Sequence, residues 1–371
     1  MAELPFTSLL KQLPATVPFV GPEALERRFG RPFRLRLGAN ESAFGVSPKA
    51  QEAMQRALAR ISWYNDPENY ELREALAATC GVPMARITVG AGIDDLLGLA
   101  VRAFVAPGTA VVTSLGAYPT FNYHVEGYGG RLHFVPYRND HNDLEGLAEA
   151  AARTGAPLVF LANPDNPTGT WHTAAALQAF LAALPRHCML VLDEAYCEFA
   201  PPEAILPLTV EDPRLIRMRT FSKAHGMAGA RVGYALAAPE VVAAFDKIRL
   251  HFGVNRVAQA GALASLQDPG FVQGVVQAVA EGRRDYEALA RAVGLATLPS
   301  ATNFVSFDAG SARRAQAILE ALLARGVFVR KPSVPPLDCC FRVTVGTPAE
   351  RRLFAEVLRQ VLAELEEGEG R

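Results

Sequence analysis

Two patterning regimes divide the chain. Between residues 87 and 238, short apolar runs rich in β-branched and aromatic residues recur at 87–90, 109–113, 132–136, 158–163, 188–193, 215–221 and 232–238. Strands buried on both faces read as near-continuous hydrophobic runs of this kind. Stretches of helical spacing separate several of them, at 93–104, 144–153 and 173–184. Alternating strands and helices predict an α/β fold with a mostly parallel sheet and helices on both faces. From about residue 240 the pattern turns helical, with helices predicted over 239–249, 255–267 and a long amphipathic 271–293. Strands at 302–307 and 341–345, covered by helices at 311–325 and 348–366, predict a smaller α+β unit.

The region ahead of residue 87 is less regular. A short strand is predicted over 34–38. A helix follows over 47–59, with Ser47 as N-cap and Pro48 at its first position. A loop spans 63–70 and a helix 71–80. Pro14, Pro18 and Pro22 interrupt the first 34 residues, which read as an irregular arm folded over the body. The expected division is an N-terminal arm at 1–38, a large domain at 39–270 and a small domain at 271–371, whose acidic tail from Glu366 frays.

Composition narrows the function classes. Thirty-seven basic against 38 acidic residues give a net charge of −1, so no basic excess favours nucleic acid or an anionic membrane. Met1 to Leu13 lacks a charged-then-apolar leader, and no apolar run approaches a membrane span. Five cysteines, an odd count, show neither metal-type nor disulfide-framework spacing, so no metal is expected and the cytoplasm is the expected compartment. Cys339-Cys340 reads as two small core-edge residues, with a redox pair as the alternative.

Three apolar runs end in chemistry. The first runs into Asn163-Pro-Asp-Asn166-Pro-Thr-Gly169, the second into Asp193-Glu-Ala-Tyr196, and the third into Ser222-Lys223 with Arg231 downstream among glycines. Ligands of open α/β sheets bind beyond the carboxyl ends of the strands. A lysine held there loses its proton readily, since burial and nearby positive charge disfavour the ammonium. A neutral lysine amine attacks carbonyl groups, pyridoxal phosphate included. Gly90-Ala-Gly92-Ile93-Asp94 has the order strand, glycine turn, helix start, which makes a phosphate cradle of backbone N–H groups. An acid, an amide, a phenol, an amine and a guanidinium form the set that a pyridinium aldehyde phosphate needs. The first strand is not followed by Gly-x-Gly-x-x-Gly, which argues against a dinucleotide.

In order and spacing, these motifs resemble the fold type I pyridoxal-phosphate aminotransferases, and among them the histidinol-phosphate aminotransferases, over about Leu35 to Pro348. The resemblance implies that Lys223 holds the cofactor and then moves the substrate proton, as general base and acid. It implies that Asp193 faces the ring nitrogen, that Asn166 and Tyr196 bond the ring oxygen, and that Phe121 stacks on the ring. Arg231, Ser222, Thr220 and the amides of Gly92, Ile93 and Asp94 would hold the phosphate. Tyr64 would reach the phosphate of a neighbouring subunit, which implies a homodimer. Asn40 and Glu41 would line the substrate side, with Arg342 and Arg330 binding its anionic groups. Substrates would be an amino donor and a 2-oxo acid, with histidinol phosphate and 2-oxoglutarate expected. His225 reads as a loop residue. The chain departs from the family pattern at several positions: Asn65 stands for a proline, Ala43-Phe44 for Pro-Tyr, Ile93 for a small residue of which only the N–H is needed, and Phe19 for an arm tyrosine that contacts substrate phosphate. The alternatives are an aminotransferase for aromatic or other amino acids, an amino-acid-phosphate decarboxylase, and a non-catalytic regulator that binds pyridoxal phosphate or a nucleotide.

Overall fold

In this structure, a computed structural model, residues 4–14 and 19–369 are described. The elements run α1 (Ser8–Gln12), α2 (Pro22–Phe29), β1 (Leu35–Arg36), α3 (Pro48–Leu58), α4 (Tyr70–Cys80), β2 (Ile87–Gly90) and α5 (Ile93–Phe104). Next come β3 (Ala110–Ser114), α6 (Pro119–Gly127), β4 (Arg131–Val135), α7 (Leu144–Thr154), β5 (Leu158–Ala162), α8 (Ala174–Ala183), β6 (Met189–Asp193), β7 (Leu215–Thr220) and β8 (Gly233–Leu236). The remainder is α9 (Pro239–Asp246), α10 (Arg256–Leu266), α11 (Pro269–Ala292), β9 (Ala296–Thr297), β10 (Phe304–Asp308), α12 (Ala312–Ala324), β11 (Val327–Phe328), β12 (Cys340–Thr344) and α13 (Pro348–Glu369).

The seven apolar runs form one sheet in the order β2-β8-β7-β6-β5-β3-β4. Every residue of β2, β5 and β8 is buried, as strands covered on both faces require. β8 alone runs against its two neighbours. The registers Ala162↔Asp193 and Asp193↔Met218 level the ends of β5, β6 and β7, so their following loops emerge side by side. On the far face of β6 and β7, Glu194 accepts from Arg217 at 2.6 and 3.0 Å and from Arg219 at 2.8 Å. All three are largely buried, and removing one partner of such a network costs about 3–5 kcal/mol. This network ties the Asp193 strand end to the strand that leads to Lys223.

A second sheet, β12-β10-β9, is antiparallel; α11 and α12 pack against it, and Phe354 of α13 meets Phe307 of β10 edge-on. Its core includes Phe307, with Phe341 stacked on it at 5.1 Å between ring centroids. β1 pairs in parallel with β11, Leu35 opposite Val327, so the segment just after the arm is sewn to the C-terminal third.

The structure corrects the sequence expectations in several places. The first 34 residues are not wholly irregular, because they carry α1 and α2. Pro22 looks like a breaker but sits at the first position of α2, where its missing N–H would have no helical partner anyway. Pro18 lies outside the described residues. α9 stops at Asp246 rather than 249, and α11 begins at Pro269. β9 and β11 are only two residues long, too short for a periodic signal. α13 continues to Glu369, and residues 370–371 lie outside the described set. Among the described residues, no helix is long and apolar enough to cross a membrane.

Candidate active site

A cavity of about 910 Å³ opens beyond the ends of β5, β6 and β7. Its near wall comes from the loops after those strands, and its far wall from the arm and the C-terminal third. Lys223 enters it from the turn after β7. That turn folds tightly because Gly226 has φ +71°, and a Cβ there would fall 1.8 Å from the Gly45 carbonyl oxygen. The Lys223 Nζ donates to the Asn40 carbonyl at 3.1 Å and lies 5.8 Å from the centre of the Tyr196 ring. Burial, reinforced by the charge of Arg342, lowers the Lys223 pKa to about 8.

Asp193 ends β6 and is only 6% exposed. Burial raises its carboxyl to about 7, although the Ala195 N–H donates to it at 2.9 Å. Tyr196 is buried, which pushes its phenol up to about 12, and its oxygen accepts from Asn40 Nδ2 at 2.8 Å. Asn40 takes a left-handed backbone (φ 55°), which asparagine tolerates better than most residues. Its carbonyl accepts from Lys223 and, at 3.0 Å, from Asn303.

The glycine turn between β2 and α5 approaches Arg231. At Gly92 the left-handed φ of +87° favours glycine, and a Cβ there would lie 2.4 Å from the Arg231 Nη2, so a side chain would push the guanidinium away. Arg231 is itself left-handed (φ 59°), a strain of about 1–3 kcal/mol held in place by its surroundings. It donates to Ser222 Oγ at 3.3 Å and pairs with the Asp94 carboxylate at 3.3 Å. Thr220 Oγ1 donates to Ser222 Oγ at 2.9 Å. Ile93, at the first turn of α5, also lines the cavity. These groups converge at a helix N-terminus, an arrangement that binds anions.

At the far wall Arg330 and Arg342 face one another across an antiparallel bridge. Arg342 donates to Asn166 Oδ1 and, at 3.0 Å, to the Gly38 carbonyl. Arg330 donates to the Val20 carbonyl at 2.7 Å, and its guanidinium sits 3.9 Å from the centre of the Phe19 ring. The Nε of each is buried without a partner, and neither arginine pairs with a carboxylate among the described residues. Burial, with Arg342 adding repulsion, drives Arg330 down to about 10.

Three expected residues are not part of the cavity wall: Gly92, which stands behind it against Arg231, and Phe121 and Tyr64. Phe121 does not face the cavity. Its ring is fully buried and stacked on Phe160 at 4.6 Å, so the expected ring-stacking position is corrected. Phe121 and Val125 form one inward face of α6, and that i, i+4 spacing was the available signal. The aromatic of this segment that does line the cavity is Tyr118, the N-cap of α6, whose hydroxyl donates to Asp94 at 2.9 Å. Tyr64 is 77% exposed in this single chain and stacks on Phe252 at 4.5 Å. His225 bonds Ser265 and is buried, which lowers its pKa to about 4. Sequence reasoning also missed Asn303, Phe134 and the loop 331–334, which carry no motif of their own.

The class I and II aminotransferase family model matches residues 34–358. The chain belongs to that family. Among its relatives, this aminotransferase is 40% identical to histidinol-phosphate aminotransferase 2 of Methylococcus capsulatus, over 91% of this chain and 93% of the relative. It is 38% identical to histidinol-phosphate aminotransferase 2 of Pseudomonas fluorescens, over 89% of each. Its fold matches the crystal structure of histidinol-phosphate aminotransferase from Sinorhizobium meliloti in complex with pyridoxal-5'-phosphate, with a TM-score of 0.95, 50% identity and coverage of 98% and 99%. The aminotransferase thus has the fold type I architecture that its motifs led one to expect.

Proposed function

We propose that this aminotransferase uses pyridoxal 5'-phosphate to move the amino group of histidinol phosphate to 2-oxoglutarate. The observation that carries the reading is one cavity combining a buried lysine–carboxyl–phenol set with far-wall arginines that pair with no carboxylate among the described residues. The residues fit the cofactor. The Gly92–Arg231 cradle suits a phosphate, the buried Asp193 suits a protonated ring nitrogen, and Asn166 and Tyr196 suit a ring oxygen. Relatives and a solved neighbour bearing that substrate and cofactor in their names support it.

When bound, the cofactor supplies a carbonyl for the donor's nitrogen and a ring that accepts the electrons left when the α-proton departs. The chain's own residues do the rest. Lys223, with its lowered pKa, can be neutral near physiological pH and takes the proton from the donor's α-carbon. Asp193 keeps the ring nitrogen protonated, because a carboxylate beside a pyridinium favours the charged ring. Arg231, Ser222, Thr220 and the first amides of α5 would anchor the phosphate, and Tyr118, which lines the same cavity, would add to the cofactor's binding surface. Arg342 takes a carboxylate of the 2-oxo acid, and Arg330 the donor's phosphate.

This reading includes a homodimer in which Tyr64 reaches the partner's cofactor. It also includes a cytoplasmic location and the division into arm (1–38), large domain (39–270) and small domain (271–371). The pairing of β1 with β11 supports attaching the end of the arm to the small unit. A donor panel tests the function: histidinol phosphate, phenylalanine, tyrosine and leucine, each with 2-oxoglutarate. Histidinol phosphate should give the highest kcat/KM. A better phosphate-free aromatic donor would replace this reading with a general aromatic aminotransferase.

A further inference from the structure

Arg330 is a poor sole receptor for a phosphate. One Nη2 hydrogen bond is spent on the Val20 carbonyl at 2.7 Å, and one face of its guanidinium lies against Phe19 at 3.9 Å. Arg342 is similarly committed, to Asn166 and the Gly38 carbonyl. Phe19 brings no hydroxyl to this wall. A phosphate monoester near neutral pH carries close to two charges and three terminal oxygens. The next residue in the chain supplies what is missing. Lys331 lines the same cavity, and among the described residues its Nζ has a single weak partner, the Pro332 carbonyl at 3.3 Å. No carboxylate pairs with it among the described residues. Ser333, two residues on, lines the cavity as well and places a hydroxyl on the same loop.

Resting on the proposed phosphorylated donor, we infer that Lys331 is the second cation of the far wall. With Arg330, and with Ser333 as an added donor, it selects a dianionic phosphate over a carboxylate. The physical reason is count. A carboxylate has one charge and two oxygens, which one guanidinium edge satisfies; a phosphate dianion leaves an oxygen and a charge over. Lysine suits the remainder, since a point charge on a flexible stem tolerates the oxygens' several orientations.

The test uses the cofactor-loaded wild type, Lys331→Met, Lys331→Arg and Ser333→Ala, with histidinol phosphate and phosphate-free histidinol as donors. Lys331→Met should raise KM for the phosphorylated donor by about tenfold with kcat little changed. It should leave KM for histidinol and for 2-oxoglutarate within about twofold. Lys331→Arg should restore most of the loss, and Ser333→Ala should show a smaller effect of the same kind. The discrimination should narrow below about pH 6, where the phosphate becomes a monoanion. Equal losses on both donors, or none, overturn the role of Lys331. A wild type that does not prefer the phosphorylated donor overturns the substrate reading itself, and the two failures are thereby told apart.

Discussion

The near and far walls of the cavity are built on different electrostatic terms. At the strand ends each cation has an acid close by: Arg231 pairs with Asp94, and the charge of Lys223 acts on Asp193. The far wall brings Arg330, Lys331 and Arg342 to one cavity with no carboxylate partner among the described residues. The near wall therefore tunes protonation, lowering a lysine to about 8 and raising a carboxyl to about 7. The far wall is a fixed positive field that a bound anion would balance. Chemistry common to many substrates belongs to the first, and choice among substrates to the second.

The largest break in this contrast is Lys223→Ala. Transamination should fall by about 10³-fold or more, because the group that holds the cofactor and the group that moves the proton are lost together. In the wild type, borohydride reduction followed by peptide mapping should find the cofactor on Lys223 and on no other lysine.

Asp193→Asn comes next, with a loss of about 10²-fold or more, well above that of Asn166→Ala, which removes one hydrogen bond worth about 1 kcal/mol. The same change has an opposite effect on the cofactor-free fold. The folded Asp193 pKa is raised, so between about pH 4 and 7 the native state binds more protons than the unfolded one. Stability contributed by this group is therefore lost as pH rises through that window. Asp193→Asn should raise the apoprotein's stability at pH 7.5 relative to wild type, and the gain should vanish near pH 4. Denaturant melts at the two pH values check this, and a mutant less stable at both would mean that the carboxylate is compensated in the fold.

Arg330→Ala sharpens the contrast from the far side. It should cost about tenfold in kcat/KM with the phosphorylated donor, equivalent to about 1.4 kcal/mol, and leave a phosphate-free donor almost unaffected. Steady-state kinetics on both donors decide it.

Smaller effects separate the two aromatics of α6. Phe121→Leu should destabilise the fold by about 1–2 kcal/mol in a denaturant melt with cofactor affinity unchanged. Tyr118→Ala should weaken cofactor binding by severalfold, read by equilibrium dialysis, at little cost to the fold. Smallest of all, Phe19→Tyr should improve KM for the phosphorylated donor by up to about threefold through one added hydroxyl donor.

Much of this molecule is written locally. The buried strands announce themselves because a strand covered on both faces must be apolar throughout, and their polar residues stand out at the ends, as Asn166, Asp193 and Lys223 do. The phosphate turn is legible because glycine is the residue that most readily takes the left-handed backbone it needs at Gly92. Ser47 with Pro48 fixed the start of α3 for the same local reason.

What the tertiary structure decided is whatever depends on two distant segments meeting. The sequence singles out Phe121, yet packing against Phe160 turns it into the core and leaves Tyr118 at the cavity. β1 and β11 are too short to signal themselves and exist because each supplies the other's hydrogen bonds across almost 300 residues. The far wall joins Phe19 and Val20 of the arm to Arg330 and Lys331, and no spacing within the chain encodes that encounter. Motifs record what a residue needs from its sequence neighbours; burial and charge at a site depend on neighbours that only the fold brings together.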